Sequence, residues 1–434
     1  MLAGVDVLTR MRAMPALARD AALVALVALG ARLLALALTT GYVPMHDDAS
    51  YTRVARSLLA TGSYPVHRLP GGVLEVSTYR PPGWPGTLAG LWEVTGPSVF
   101  AARLLLVGVG IAGCLAVWHI GARLFDRRTA LAAGLIAAVT PPLVLTGASL
   151  ESETLFTTLV LAAVVAALHA RSTPHHRRWL VAAGLLTGLA ALTRTNGLAL
   201  VPLIAWLACG GAPAWRPRVL RALAVGLVAV ATVTPWTIRN AEVTHAFVPV
   251  STEVGNTLAG TYNDVSLHAH AQWFEPKVTG AYHAIYRRLG PSAAADSALR
   301  SAVLRFVVRH PGYPLRVVVT NAERFTGLAG IGWSKLSLRT MSLPDDDLGG
   351  LLWAGLLLTS LLALTGLPGV LRARPPLALL AIPTLLYLSA AAVNGEQRMV
   401  VPVVPFLALA GGVAAATASR AAEASLGRLH PDSA

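Results

Sequence analysis

Lysine is almost missing from this chain: Lys277 and Lys335 are the only two, against abundant arginine and alanine. That bias fits a high-GC bacterial genome and carries no chemistry of its own. Charged residues make up 13% of the sequence, about half the share of an ordinary soluble domain, which excludes a water-soluble globular body. The two cysteines, Cys114 and Cys209, both lie inside apolar runs. They imply neither a disulfide framework nor a thiolate metal site. No glycine-rich phosphate loop and no RNA- or DNA-binding motif is present. The net charge of +14 and pI of about 10.7 therefore need another reading. The arginines sit in short clusters between apolar runs, where they set membrane topology and meet lipid headgroups; nucleic acid is not an expected partner.

What remains is 55% hydrophobic, with a mean hydropathy of +0.60. A run of about 20 apolar residues from Ala21 to Thr40 is long enough to cross a bilayer and follows Arg10, Arg12 and Arg19. A signal peptide is the competing reading, with Ala35-Leu36-Ala37 as a possible cleavage site, but its apolar region is usually shorter. Further apolar segments fall at about 98–120, 129–147, 153–170, 179–193, 196–210, 219–236, 349–368, 376–393 and 399–417. The expected fold is an all-α polytopic membrane protein with about ten transmembrane helices, roughly nine to twelve. Residues 1–236 form an N-terminal membrane module with a first loop at 42–97. Residues 237–347 form a loop domain, and 348–434 supply the last membrane helices and a short tail.

Arginine clusters occupy alternate loops: Arg123 with Arg127 and Arg128, Arg171 with Arg177 and Arg178, Arg216 with Arg218 and Arg221, and Arg372 with Arg374. The positive-inside rule places these loops and both termini in the cytoplasm. Loops 42–97 and 237–347 and the short turns at 147–153, 193–196 and 394–398 then face outward from a plasma membrane. The 237–347 region reads as a small mixed α/β cap. An amphipathic helix is expected over 292–309, with Ala295, Leu299, Val303, Phe306 and Val307 on one face, and a short strand over His245–Val250.

The unusual polar residues all fall on that outer side. Met45-His46-Asp47-Asp48-Ala49-Ser50-Tyr51 follows the first span and begins a helix whose face carries Tyr51, Val54, Ala55, Leu58 and Leu59. One acid suffices to cap it, and the second needs another purpose. Glu151 and Glu153 crowd a second turn, where capping again competes with function. Arg194 joins two apolar runs of about 14 residues, each roughly 21 Å long, so it should lie below the headgroups of a ~30 Å core. Snorkelling is its plain reading; an anion partner is the functional one. Arg398 enters the last span, either paired to Glu396 as an interfacial anchor or available to substrate. Arg80 lies in Tyr79-Arg80-Pro81-Pro82-Gly83, a stiff turn in which the glycine would permit a reversal. Carboxylates beside anion-binding cations at a lipid interface suit group transfer from a phosphate-linked lipid.

Taken in order, these stretches resemble the GT-C superfamily of membrane glycosyltransferases. They are most similar to the protein-O-mannosyltransferase and aminoarabinose-transferase type, which uses polyprenyl-phosphate sugars. Asp47-Asp48-Ala49-Ser50-Tyr51 stands for the family's Asp-Glu-Ala-x-Tyr, with Asp48 for the usual Glu. Arg80-Pro81-Pro82-Gly83, Ser152-Glu153-Thr154-Leu155-Phe156, Ala191-Leu192-Thr193-Arg194 and Pro235-Trp236-Thr237-Ile238-Arg239-Asn240 follow in register. Gln397-Arg398-Met399-Val400-Val401-Pro402 closes the series, with Met399 replacing an aromatic residue. Residues 237–347 are not closely matched, and the acceptor stays open between glycan, lipid and protein.

The resemblance implies a GT-C fold, an inverting transfer of a hexose or pentose from a polyprenyl-phosphate donor, and Asp47 as general base. The charge argument agrees: a phosphate leaving group needs no protonation, so one base is enough. Arg194, Arg398 and then Arg80 are the candidates to stabilise the departing phosphate. Asp48 and Glu153 would orient hydroxyls of either substrate. No cofactor and no divalent metal are expected, since no His, Cys or acid cluster has ligand spacing. A transporter or flippase for a lipid-linked sugar is the rival reading. It would line a midplane path and show repeat symmetry, and neither is evident.

Overall fold

The structure, a computed structural model, describes residues 15–172, 176–210, 212, 214–278 and 280–429. Arg10, Arg12 and the end of the tail lie outside the described residues. Six described helices are long and apolar enough to cross a membrane: Ala16–Leu38, Val99–Leu124, Glu153–Ser172, Trp215–Thr244, Asp345–Arg372 and the Val404–Ser425 part of the last helix. The remaining apolar runs expected from the sequence also form helices, but shorter or broken ones. Arg127–Val139 gives way to Pro141–Thr146, because Pro141 and Pro142 cannot donate to the helix ladder. The other three are His176–Thr193, the 3₁₀ turn Thr195–Leu200 running into Val201–Cys209, and Leu377–Ala391. The chain is a multi-pass membrane protein.

Close helix crossings use glycine, as expected where lipid provides no hydrophobic drive and packing must come from contact. Gly366 sits against Ala410, and Gly412 sits with its Cα turned to Thr129 O, where an added Cβ would lie 2.8 Å away. Buried arginine in the bundle is satisfied by carbonyls: Arg103 donates to Ala148 O at 2.8 Å and to Thr39 O at 3.0 Å.

The loops on one side of the bundle build the site. In the first, the helix Asp47–Thr61 packs against Gly83–Thr95, and a two-stranded antiparallel hairpin joins Val66–Arg68 to Leu74–Val76. The 237–347 region is helical among the described residues. The helix expected over 292–309 runs Ala293–Arg309, capped by Ser292, with Leu299, Val303 and Phe306 buried against Tyr262, Tyr282 and Val317 in a core of their own.

The strand expected at His245–Val250 does not form, and the strands lie in the first loop instead. The end of the preceding helix takes this segment's carbonyls: Asn240 Nδ2 donates to Val248 O and Val250 O, Thr237 Oγ1 to Pro249 O, and Trp236 Nε1 to Val250 O. A segment whose acceptors are spent on side chains offers no ladder to a partner strand. The cap is tied to its neighbours through Thr252 N–H to Thr78 O at 2.9 Å and Tyr262 OH to Ala392 O at 2.7 Å. Three loops distant in sequence therefore meet at one end of the bundle.

Candidate functional site

The two adjacent acids that begin the Asp47–Thr61 helix part company. Asp48 turns inward and is fully buried. Its carboxylate accepts from the Tyr42 hydroxyl at 2.6 Å and from the backbone N–H groups of Met45, His46 and Ala49 at 3.1, 2.8 and 2.8 Å. Its oxygens are occupied in shaping the turn that delivers Asp47. The exposed His46 supplies no side-chain cap.

Asp47 points the other way, into a cluster of guanidinium groups. One oxygen meets Arg80 Nη2 and the other meets Arg398 Nη2 at 2.5 Å. Burial opposes its ionisation, but Arg80 and Arg398 more than offset this and hold the carboxyl well below the usual carboxylate range. About a third of the Asp47 side chain stays open to solvent (34%), whereas Arg398 is nearly sealed at 5%. Asp47 is thus the accessible member of the cluster.

Around that pair the charges interlock. Arg398 also reaches Glu396 at 2.6 Å and Glu151 at 2.7 Å, with Glu153 at 4.0 Å. Arg194 pairs with the fully buried Glu153 at 2.7 Å, and its second nitrogen contacts Met399 Sδ at 3.1 Å. Met399 therefore lies against a site arginine. Glu153 is the buried counter-ion of Arg194 in this arrangement. Arg80 is buried, so its turn is no plain surface feature: it donates to Ser50 Oγ at 3.1 Å, reaches Glu253 at 3.5 Å and stacks over Tyr51.

Neither oxygen of Glu151 has hydrogen-bond geometry, despite the close approach of Arg398. Burial, reinforced by Glu153, Asp47 and Asp48 and countered by Arg398, raises its pKa well above the usual range and favours the neutral acid. Burial likewise raises Glu253, against the pull of Arg80 and Arg194. Leaning two of the five acids toward neutrality lowers the net negative charge of the cluster.

Gly83 has a function different from the reversal read in the sequence. It begins the helix Gly83–Thr95, and a Cβ there would lie 2.8 Å from Thr193 Cα and 2.9 Å from Leu192 O. The turn carrying Arg80 and the hairpin carrying Arg194 can approach only because that side chain is absent.

Asp47, Arg80, Glu153, Arg194 and Arg398 are thus brought into one connected cluster, and Asp48 lies behind it. The sequence reading missed Glu253, which immediately precedes the helix Val254–Thr261; its only sign was an acid just ahead of an otherwise neutral helical stretch. Among the described residues, no three His, Cys, Asp or Glu side chains are placed to share one metal ion. Beside the cluster, Ser50 and Arg80 help to line a cavity of about 490 Å³ bounded by residues of the first loop and the cap.

Residues 79–238 match the family described as dolichyl-phosphate-mannose-protein mannosyltransferase. No curated protein matches the chain significantly. Among solved structures, the archaeal oligosaccharyltransferase AglB from Archaeoglobus fulgidus, in complex with an inhibitory peptide and a dolichol-phosphate, aligns with a TM-score of 0.52 and 15% identity. That alignment covers 96% of this chain and 52% of that one. The Archaeoglobus fulgidus oligosaccharyltransferase in complex with Zn and sulfate gives 0.55 and 14%, over 95% and 49%. ArnT from Cupriavidus metallidurans bound to undecaprenyl phosphate gives 0.44 and 16%, over 91% and 77%. The chain spans about half the length of the archaeal enzymes it matches. The fold is the GT-C membrane fold, in agreement with the resemblance carried by the motifs.

Proposed function

We propose that the protein is an inverting membrane glycosyltransferase, which moves a sugar from a polyprenyl-phosphate donor to an acceptor hydroxyl on the extracytoplasmic side. The observation that carries this reading is Asp47, held between Arg80 and Arg398 with about a third of its side chain open to solvent, while Arg80 also lines a cavity. Nucleotide sugars are confined to the cytoplasm, so a transferase working outside takes its sugar from a lipid carrier. The match of residues 79–238 to a family named for a dolichyl-phosphate sugar supports the same donor class.

The resting arrangement supplies a sequence of events. A donor phosphate competes with Asp47 for the guanidinium groups of Arg80 and Arg398. As they turn toward the phosphate, Asp47 loses the cations that suppress its basicity and recovers the proton affinity of an ordinary carboxylate. It then takes the proton of the acceptor hydroxyl as the bond between the anomeric carbon and the phosphate oxygen breaks and the new glycosidic bond forms. Arg80 and Arg398, with Arg194 behind them, stabilise the charge on the departing phosphate. One displacement inverts the anomeric centre.

Clustering of the charges at one end of the bundle favours a transferase over a transporter, whose polar groups would line a midplane path. The test is transfer by the purified full-length protein in liposomes, from a panel of polyprenyl-phosphate hexoses and pentoses to extracted cell-envelope glycans, lipids and proteins. Inverted product from one donor is expected; lipid-linked sugar crossing the bilayer without transfer would establish the rival. Sidedness is read with Ser297→Cys, an exposed position in the cap. An impermeant thiol reagent should label it from outside the membrane; labelling only after the membrane is opened would reverse the topology.

A further inference from the structure

The cavity beside Asp47 is strongly one-sided in charge. Its walls carry Arg53, Arg80, Lys277 and Arg287, together with His67 and His283, and a single acid, Asp296. Asp296 is already engaged, accepting from the Gly255 N–H at 2.5 Å and pairing with Arg300 at 3.0 Å. Arg80 is committed to Asp47 and Glu253. Arg53, Lys277 and Arg287 are exposed, and among the described residues none of them joins an ion pair. Lys277 lies over the rings of Tyr79 and Tyr286, at 5.5 and 5.8 Å from their centres.

Resting on the transferase reading above, we infer that this cavity receives the acceptor, and that the acceptor carries a phosphate or carboxylate group close to the hydroxyl that is glycosylated. Three unpaired cations converge on a cavity whose one lining carboxylate, Asp296, is already engaged; they repel one another, and an anion from outside relieves that repulsion. The volume, about 490 Å³, lies within the range of small-molecule sites and accommodates a sugar unit with its charged substituent. Tyr79 and Tyr286 offer flat faces along the same wall. Ser50 and Arg80 line the cavity and Arg80 also grips Asp47, so an acceptor held there by its charge lies one side chain away from the base. The local field already registers on His67: burial first, then the charges of Lys277 and Arg53, lower its pKa.

The experiment uses the full-length protein in detergent, saturated with undecaprenyl phosphate so that the arginines around Asp47 are occupied. Glucose, glucose 6-phosphate and the short-chain lipid dihexanoyl phosphatidylglycerol are titrated as probes, and affinity is read by thermophoresis. At least one anionic probe should bind about tenfold or more tightly than glucose, and high salt should erase the difference. Preference for glucose 6-phosphate assigns the charge to a glycan-like acceptor, preference for the phospholipid assigns it to a lipid headgroup. Arg53→Ala combined with Arg287→Ala, both exposed positions with little effect on folding, should abolish the preference while undecaprenyl phosphate binds within about twofold of wild type. Equal affinity for glucose and both anions overturns the inference, as does anion binding that the double substitution leaves intact. Failure of undecaprenyl phosphate to bind the wild-type protein counts against the donor reading instead, and the anion titrations on the lipid-free protein then decide the cavity separately.

Discussion

Asp47 and Arg398 lie 351 positions apart in the chain and meet at 2.5 Å. The contact joins the end of the first span to the start of the last, so the whole bundle must assemble before the candidate base is held. It also sets a conflict. The cation that would bind the leaving phosphate is, at rest, the one suppressing the base, and the two tasks separate only when a phosphate arrives.

The neighbouring acids should respond differently to the same change. Asp47→Asn is nearly isosteric and lies at a partly open position; transfer should fall by about 10²–10⁴-fold while undecaprenyl phosphate still binds. Asp48→Asn places an amide among four donors, the Tyr42 hydroxyl and three backbone N–H groups. It should cost about 1–3 kcal/mol of stability, read as a lower melting temperature, with Tyr42→Phe showing a related loss. A stable Asp48→Asn protein that cannot transfer, beside an active Asp47→Asn, would move the base one residue along.

Arg398→Ala removes the buried cation shared by Asp47 and Glu396, and removing one partner of a buried pair costs about 3–5 kcal/mol. The variant should be poorly stable in detergent. Adding Glu396→Gln removes one of the two stranded carboxylates and should restore part of the melting temperature without restoring transfer. Recovery of transfer by the double variant would show that Arg398 serves only to neutralise Glu396.

Asp47, Arg80, Arg194 and Arg398 were legible because charge next to long apolar runs is costly and therefore visible. The different fates of Asp47 and Asp48 were not legible. Consecutive helical residues point about 100° apart, and which of them faces inward depends on Tyr42 and on the depth of the turn. Glu253 was hidden for another reason: its partner Arg80 is 173 positions away, and nothing local marks the pairing. His245–Val250 misled because its apolar, β-branched composition is that of a strand, while Asn240, Thr237 and Trp236 spend the carbonyls a strand would need. The fold class rested on lengths and periods of apolar runs, which are local and survive in any sequence reading. The cap's internal arrangement rests on contacts that are not local.

Acid titration separates the resting from the donor-bound state of Asp47. Arg80 and Arg398 hold its pKa below the unfolded value of about 4, overcoming the opposing effect of burial. The stability this confers is fully present above about pH 4 and is lost as pH falls toward the folded-state value. Subtracting the melting temperatures of Asp47→Asn from those of wild type cancels the other carboxyls. In the donor-free protein this difference should be constant from pH 7 to pH 5 and shrink only below about pH 4. With undecaprenyl phosphate bound, the arginines are shared with the phosphate, Asp47 moves back toward an ordinary carboxylate, and the difference should already be small at pH 7. A difference that grows on acidification contradicts the ion pairs themselves. If saturating undecaprenyl phosphate leaves the difference unchanged, the phosphate does not compete for Arg80 and Arg398, and the exchange that frees the base does not take place.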